Sequence, residues 1–293
     1  MSEERHVGLP PMIKASLWML GALGSFTVMA LGGRELSSEL TTFQILFFRS
    51  IVGLTVASLL LTIYGWGQIR TRRFSQHLIR NTAHLGGQFG WFYGISLLPL
   101  ATVFAIEFTA PVWTVLLATV VLSERLTMVR LGSIVMGFVG VLIILRPTAL
   151  GVGVAELSVL GAAFGYAVAY VMTKKMSLTE TPLAIIFFMT AIQLPLAFIP
   201  SLWQWTVPSL AMWPLVVAVG ISALSAHYCV TRALLLADAG VVVPMDFIRL
   251  PLIAVIGFLL YGEPFDIWVL AGGAVVFAGN LINMRGASRA KDR

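Results

Sequence analysis

Charge and cysteine are both scarce in this sequence. Only 11% of its 293 residues are charged, whereas 58% are hydrophobic, and the mean hydropathy is +0.93. A soluble domain carries about 25% charged residues, so most of these side chains must face lipid or one another. The single cysteine, Cys229, excludes an intramolecular disulfide and a cysteine-rich metal site. Composition therefore predicts a membrane protein with many spans, and neither a cofactor nor a metal is expected.

The sequence also lacks the motifs of common catalytic sites. It has no Gly-x-x-x-x-Gly-Lys-Ser/Thr loop for nucleotide phosphates, no His-Glu-x-x-His and no Gly-x-Ser-x-Gly. No apolar segment shows a regular polar stripe or a filter-like loop, which disfavours a channel. The net charge of +6 lies mostly in short connections between apolar runs, which is a topology signal rather than a nucleic-acid site. We predict a transporter and no enzyme; a non-transporting sensor or assembly factor is the alternative from another class.

Apolar runs long enough to cross about 30 Å of hydrocarbon divide the chain into ten predicted α-helices. They cover residues 12–32, 42–64, 78–97, 99–122, 128–146, 154–174, 182–202, 210–236, 240–261 and 265–284. Fifteen lysines and arginines fall on the side that holds both termini, whereas Arg34 and Arg146 fall on the other side. Because basic residues collect in the cytoplasm, both termini are predicted to be cytoplasmic.

The second half of the chain is a weak copy of the first. Thr41-Thr42-Phe43 corresponds to Thr181-Pro182-Leu183 at an offset of about 140 residues, and beyond one deletion Glu107 corresponds to Asp246. An odd number of spans in each half would invert the second half relative to the first. The sequence therefore predicts an all-α integral membrane protein of two inverted five-helix repeats, residues 1–148 and 149–293, as in several transporter folds.

Small residues recur at four-residue steps in two predicted helices. Gly86, Gly90 and Gly94 lie in the third helix, and Gly161 and Gly165 lie in the sixth. Such stripes let helices approach closely in lipid, and they would serve either simple packing or the sliding of helices during transport. The fifth and tenth helices are glycine-rich but almost free of polar side chains, so they are predicted to be scaffold or a dimer face. The protein would thus be a monomer or a homodimer.

Four ionisable side chains fall inside predicted spans: Arg49, Glu107, Asp246 and Arg249. Charges at such depths are expensive unless they are paired or hydrated, and they are candidate functional residues by default. Similar depths suggest that Arg49 pairs with Glu107, whereas Asp246 and Arg249 share a helix face. Either these groups form structural ion pairs or Arg49 snorkels outward, or else the acids bind a substrate ammonium or a coupling proton.

Polar-tipped side chains suggest the rest of a cavity. His84, Gln88 and Trp91 lie on one face of the third helix, where three such groups indicate a hydrated wall. His227 fits a cavity or an ordinary buried position equally well. The remaining predicted cavity residues are Trp18, Tyr93, Tyr166 and Tyr170.

Prolines occur at comparable places in the two halves. Pro111 follows Glu107 and Pro251 follows Asp246, and Pro244 adds a further break in the ninth helix. A proline inside a span frees a backbone carbonyl. Carbonyls released beside an acid would contribute to a polar lining.

These features resemble the drug/metabolite transporter superfamily, specifically its EamA type. The resemblance rests on an aromatic-to-proline stretch, a proline in the following helix and a glutamate at its end. In the first half of this sequence the pattern is Phe92-Tyr93 to Leu98-Pro99, Pro111 and Glu124. The second half departs from it by lacking the tyrosine near the end of the eighth helix, and has Thr231-Arg232 to Asp238-Ala239, Pro251 and Gly262-Glu263. Glu124 and Glu263 each precede the next span, so they are predicted to cap it.

The resemblance implies secondary transport of small metabolites across the bacterial inner membrane, commonly as export. Many members resemble amino-acid exporters, and the aromatic-rich interior fits aromatic or other neutral amino acids. A proton-coupled extruder of drugs or organic cations is the alternative within the same fold. Partners other than the substrate and the lipid bilayer are not expected.

Overall fold

The computed structural model describes residues 10–121, 127–146, 152–176, 179–236, 245–246 and 248–291. Regular structure in these ranges is entirely helical. The α-helices are α1 Pro11–Leu36, α2 Thr42–Tyr64, α3 Phe74–Leu97, α4 Leu100–Glu107, α5 Ala110–Val121, α6 Met128–Leu145, α7 Val154–Met176, α8 Pro182–Ser201, α9 Trp213–Leu236, α10 Arg249–Tyr261 and α11 Ile267–Lys291.

The repeated threonines are helix caps. Thr41 Oγ1 accepts from the Gln44 backbone N–H at 3.4 Å, and the Gln44 side chain accepts from the Thr41 N–H at 3.1 Å. Thr181 caps α8 in the corresponding way, by accepting from the Ala184 N–H at 3.2 Å. A cap satisfies backbone donors that the first helical turn leaves free, which gives the sequence repeat a physical reason.

The fourth predicted helix is broken. It was expected to run through 99–122, but α4 ends at Glu107 and α5 begins at Ala110. The ring of Pro111 cannot donate to the Glu107 carbonyl and clashes with it. Near the break, the Phe108 carbonyl accepts from Asn280 Nδ2 of α11 at 3.2 Å. The prolines were predicted to free backbone carbonyls beside Glu107. The carbonyl of Phe108 is not left free, because Asn280 of the protein itself donates to it.

The ninth predicted helix, 240–261, is described from Arg249 onward as α10. Pro251 lies in its first turn, where a missing N–H is tolerated, rather than inside a continuous helix as expected. Pro244 lies outside the described residues.

In the described part of the chain, seven helical segments are long and apolar enough to cross a membrane: Pro11–Leu36, Thr42–Tyr64, Leu100–Val121, Met128–Leu145, Val154–Met176, Pro182–Gln204 and Leu210–Val230. Shorter apolar helices cover Arg249–Tyr261 and Ile267–Asn283. Helix α3 is the most polar of the long helices because one of its faces carries His77, Asn81, His84 and Gln88, all of which are buried. Its polar face points into the bundle, as expected for polar groups in a membrane protein.

Each principal helix pair joins one helix from each half. The most extensive contacts are α1 with α9, α3 with α7, α2 with α8 and α6 with α11. Exchanging the halves maps this set of pairs onto itself. Glycine permits the closest of these approaches: a Cβ on Gly90 would overlap the Ser158 backbone of α7, and one on Gly165 would lie 2.7 Å from the Ala83 carbonyl oxygen. The packing role predicted for these two glycines is therefore supported by direct contacts, and sliding stays a prediction.

Candidate functional site

A cavity of about 300 Å³ lies between the two halves of the bundle. Helices α1, α2, α3, α7 and α9, the α4–α5 break and the start of α10 contribute to it. Its lining residues are Met19, Phe26, Met29, Arg49, His84, Gln88, Trp91, Phe92, Glu107, Phe108, Ala110, Pro111, Tyr166, Tyr170, His227, Val230, Asp246 and Arg249. Small-molecule sites span about 300–1,000 Å³, so this cavity suits a small metabolite.

Two carboxylates from opposite halves share one guanidinium in the cavity. Arg249 Nη2 lies 3.0 Å from Asp246 Oδ2 and 3.5 Å from Glu107 Oε1. The indole N–H of Trp91 donates to Glu107 Oε2 at 2.7 Å. The predicted Asp246–Arg249 contact is thus confirmed, but the predicted pairing of Arg49 with Glu107 is wrong. The reason is that α10, not α2, presents its arginine to the α4–α5 break.

Three aromatic rings surround the Arg249 guanidinium. Its central carbon lies 4.4 Å from the ring centre of Phe26, 4.9 Å from Phe104 and 5.1 Å from Phe108. Aromatic faces attract cations at such distances. Arg249 is also only 2% exposed. The rings and the two carboxylates together therefore fix the position of its guanidinium group.

His84 is oriented by a neighbour outside the cavity. Gln193 Nε2 lies 3.0 Å from His84 Nδ1 and donates to the Asn81 carbonyl at 3.2 Å. Since an amide NH₂ only donates, His84 Nδ1 must accept, and the ring proton of the neutral form lies on Nε2. The rings of Tyr166 and His227 lie 5.6 Å and 6.2 Å from His84.

Arg49 is buried without an acid. The residue is 6% exposed, and its Nε has no hydrogen-bond partner. Within the described ranges, no carboxylate forms an ion pair with it. Its burial rules out the outward snorkelling that the sequence allowed.

The structure brings ten of the twelve predicted site residues to this cavity. Tyr93 and Trp18 do not line it. Tyr93 stacks on Phe89 with ring centres 6.1 Å apart, on a different face of α3 from Trp91. Trp18 packs edge-on against Tyr228 at 5.6 Å, in the contact between α1 and α9. Both predictions of cavity lining fail because sequence spacing gives the depth of a side chain but not the rotation of its helix.

The sequence gives no sign that certain apolar residues line the cavity, notably Met19, Phe26, Met29, Phe92 and Val230. Nothing separates them from other apolar residues in a chain that is 58% hydrophobic. No group of three metal-binding side chains occurs among the described residues.

A second polar cluster ties together the helix ends on one side of the bundle. Arg34 Nη1 lies 2.7 Å from Glu263 Oε1, and Arg34 Nη2 also donates to the Leu98 carbonyl. Glu263 Oε2 accepts from the Leu100 N–H at 2.8 Å. Glu263 therefore caps α4, whereas the prediction was that it caps the helix that follows it. Its counterpart Glu124 lies outside the described residues.

The cap of the following helix is another acid. Asp266 Oδ1 accepts from the Trp268 N–H at 2.9 Å, at the start of α11. Glu263, which follows α10 in the second half, therefore binds Arg34 of α1 and the first residue of α4, both in the first half.

A helical membrane bundle with a partly charged cavity between its two halves is typical of a small-molecule membrane transporter. Residues 13–146 and 153–285 each match the EamA-like transporter family. The chain belongs to this family. It is a multi-pass transporter of the bacterial inner membrane and not an enzyme.

Relatives with known cargo align over most of the chain. An S-adenosylmethionine uptake transporter of Rickettsia bellii is 25% identical and covers 90% of this chain and 91% of its own. A riboflavin transporter of Brucella anthropi is 30% identical, with 82% and 87% covered. A pseudopaline exporter of Pseudomonas aeruginosa is 27% identical, with 88% and 92% covered. A solved crystal structure at 18% identity has a TM-score of 0.64 over 94% of this chain and 98% of its own, which shows the shared fold.

Proposed function

We propose that this protein is a secondary transporter that exports small amphipathic metabolites, most simply aromatic or other neutral amino acids, by alternating access. The observation that carries the proposal is the pair Glu107 and Asp246, which share Arg249 inside the cavity. Two carboxylates with one guanidinium leave a net negative charge, which attracts an ammonium group. Phe26 and Trp91 offer apolar surface for the rest of the cargo.

The cargoes of the relatives support this chemistry. S-adenosylmethionine carries the ammonium and carboxylate of an amino acid beside a planar base, and riboflavin carries a planar ring system. A volume of about 300 Å³, at the low end of small-molecule sites, favours an amino acid over a larger cofactor. The relatives include both uptake and export proteins, so direction is tested separately in inverted vesicles, where export is measured as uptake.

The proposal includes a topology. Ten spans form two inverted repeats, residues 1–148 and 149–293, with both termini in the cytoplasm. The fourth span consists of α4 and α5 together. The excess of basic residues on the side of the termini supports this orientation, and the pairing of helices between halves supports the repeat. It places the Arg34–Glu263 cluster on the outer side.

Counterflow in proteoliposomes tests the cargo. Liposomes preloaded with unlabelled phenylalanine, tryptophan or leucine should accumulate the labelled amino acid, and liposomes without protein should not. Counterflow of sugars or organic cations, with none for any amino acid, would reject the proposed cargo class.

Glu107→Gln and Asp246→Asn are each expected to reduce amino-acid counterflow about 10- to 100-fold, the factor that a hydrogen bond to a charged group contributes. Each substitution removes the net negative charge while preserving side-chain shape. Glu156→Gln, at the start of α7 and away from the cavity, is the matched control. Full counterflow in both cavity variants, with normal folding, would show that the carboxylates do not bind cargo.

The second candidate is a proton-coupled extruder of drugs or organic cations. It is favoured by the same net negative charge, because Glu107 could exchange a proton for a cation. Its signature would be cation flux that depends on pH and disappears in Glu107→Gln, without any amino-acid counterflow.

Arg34→Gln is expected to open the cavity toward the outer side of the membrane. The change removes the ion pair to Glu263 and the bond to the Leu98 carbonyl, so the closed arrangement becomes less stable. In a Cys229→Ser background, a membrane-impermeant maleimide should modify the cavity substitution Met29→Cys about 10-fold faster. Arg146→Gln, which removes the Arg146–Asp266 ion pair between α6 and α11, is the control and should leave the rate unchanged. Equal rates in Arg34→Gln and its parent would contradict a role in closure.

A further inference from the structure

Arg49 differs from the other arginine of the cavity. Arg249 lies between two carboxylates and three aromatic rings. Arg49 is almost equally buried, at 6% exposed, yet no ion pair is present for it in the described part of the chain. A buried charge without a partner is strongly unfavourable. An anion from outside the described part of the chain would compensate this charge.

The neighbours of Arg49 do not neutralise its positive charge. Arg49 interacts electrostatically with His84, His227 and Tyr166. Gln193 holds Nδ1 of His84, which leaves the Nε2 proton as a donor within the site.

A second arginine, Arg80, outside the cavity lining, acts on the same two histidines. Its own partners are neutral: Thr173 Oγ1 at 2.7 Å and Asn81 Oδ1 at 2.6 Å. Among the described residues no acid forms an ion pair with Arg49 or Arg80, so the charge of Arg49 is not neutralised within the cavity.

The cavity lining thus holds charges of both signs. Glu107, Asp246 and Arg249 together leave a net negative charge, and Arg49 carries a positive charge. The two carboxylates form their ion pairs with Arg249 and not with Arg49. A cargo with one cationic and one anionic group could bridge the two carboxylates and Arg49.

We propose that Arg49 binds the carboxylate of the cargo, with the Nε2–H of His84 as a second donor. The inference rests on the proposed function and deepens it: the transported molecule is a zwitterion, with its ammonium at Glu107 and Asp246. Guanidinium groups bind carboxylates through paired charge-assisted hydrogen bonds, so Arg49 selects against cations that lack an anionic group.

Four compounds on one phenyl frame test the assignment. Phenylalanine carries both charges, phenylalaninamide and phenethylamine carry only the cation, and 3-phenylpropionate carries only the anion. Affinity is measured by calorimetry on the purified protein and by inhibition of labelled phenylalanine counterflow. The wild type should bind phenylalanine about 10- to 100-fold more tightly than phenylalaninamide.

Arg49→Gln should abolish that preference, and Arg49→Lys should retain part of it. Glu107→Gln should keep the preference for phenylalanine over phenylalaninamide, because the carboxylate contact is intact. Arg72→Gln, in the exposed loop before α3, removes the same charge and should change nothing. Melting temperatures are recorded for every variant, and Arg49→Met replaces Arg49→Gln if the glutamine variant does not fold.

The outcomes separate this inference from the proposed function. Amino-acid counterflow with an unchanged preference in folded Arg49→Gln would overturn the carboxylate site and leave the transport proposal standing. Binding of 3-phenylpropionate that depends on Arg49, without counterflow of any amino acid, would support the anion site and reject the proposed cargo. A wild type that binds neither carboxylate compound would overturn the inference.

Discussion

Arg249→Met is expected to lower the free energy of unfolding by about 3 kcal/mol and to abolish transport. Removing one partner of a buried ion pair costs about 3–5 kcal/mol because the other charge stays buried without compensation. The lower value applies here because the Asp246 side chain keeps 25% of its surface exposed. Methionine preserves the apolar contacts to Phe26, Phe104 and Phe108, so the loss reports on charge. The measurement is denaturant unfolding in detergent, with counterflow on the same preparations.

Adding Glu107→Gln and Asp246→Asn to Arg249→Met is the control. The three changes together remove every charge of the cluster and should recover most of the lost stability, but no transport. A triple variant that is no more stable than Arg249→Met would show that the arginine contributes packing rather than charge. A single variant as stable as the wild type would show that water or lipid already neutralises the two acids.

Much of the fold could be predicted because a chain in lipid must satisfy its backbone within each segment. Apolar run length therefore located the helices, whereas the Thr41–Thr181 correspondence indicated only the repeat, and the structure shows that these threonines are caps. The break after Glu107 could be predicted only as a kink. Its form depends on Asn280, which belongs to α11 and satisfies the Phe108 carbonyl. No local pattern near Pro111 contains that information.

The candidate site was partly predictable for a similar reason. Ionisable groups inside apolar spans are so unfavourable that their presence marks a cavity, and Arg49, Glu107, Asp246 and Arg249 all line it. Their partners could not be predicted. Depth along a helix follows from residue count, but pairing depends on helix rotation and on which helices are neighbours. Glu107 therefore meets Arg249 rather than Arg49.

The cavity is asymmetric because some of its lining residues differ between the two repeats. The equivalent acids Glu107 and Asp246 come from the duplicated pattern, whereas Arg249 has Ala110 as its counterpart and Arg49 has Met189. A strictly symmetric pair of halves would have two matching arginine positions or none. One arginine in each half, at positions that do not correspond, gives the cavity lining one arginine that pairs with both acids and another, Arg49, that pairs with neither.

Gly90→Ala is expected to lower the free energy of unfolding by about 3 kcal/mol, the upper part of the range for overpacking. The added Cβ would overlap the carbonyl of Ser158, and backbone atoms of α7 cannot rotate away as a side chain would. The polar face of α3, with His84 and Gln88, would be displaced with its helix. Transport should therefore fall together with stability, measured by unfolding in detergent and by counterflow.

Gly86→Ala provides the matched control on the same helix. A Cβ at Gly86 has no neighbour within 4 Å, and alanine is favoured over glycine in helices by about 1 kcal/mol. This variant should be as stable as the wild type or slightly more so. Gly165→Ala and Gly161→Ala repeat the comparison on α7, where only Gly165 has backbone within 3.0 Å. Equal stability of Gly90→Ala and Gly86→Ala would mean that α3 and α7 are free to separate, as sliding helices require, and are not locked by backbone contact.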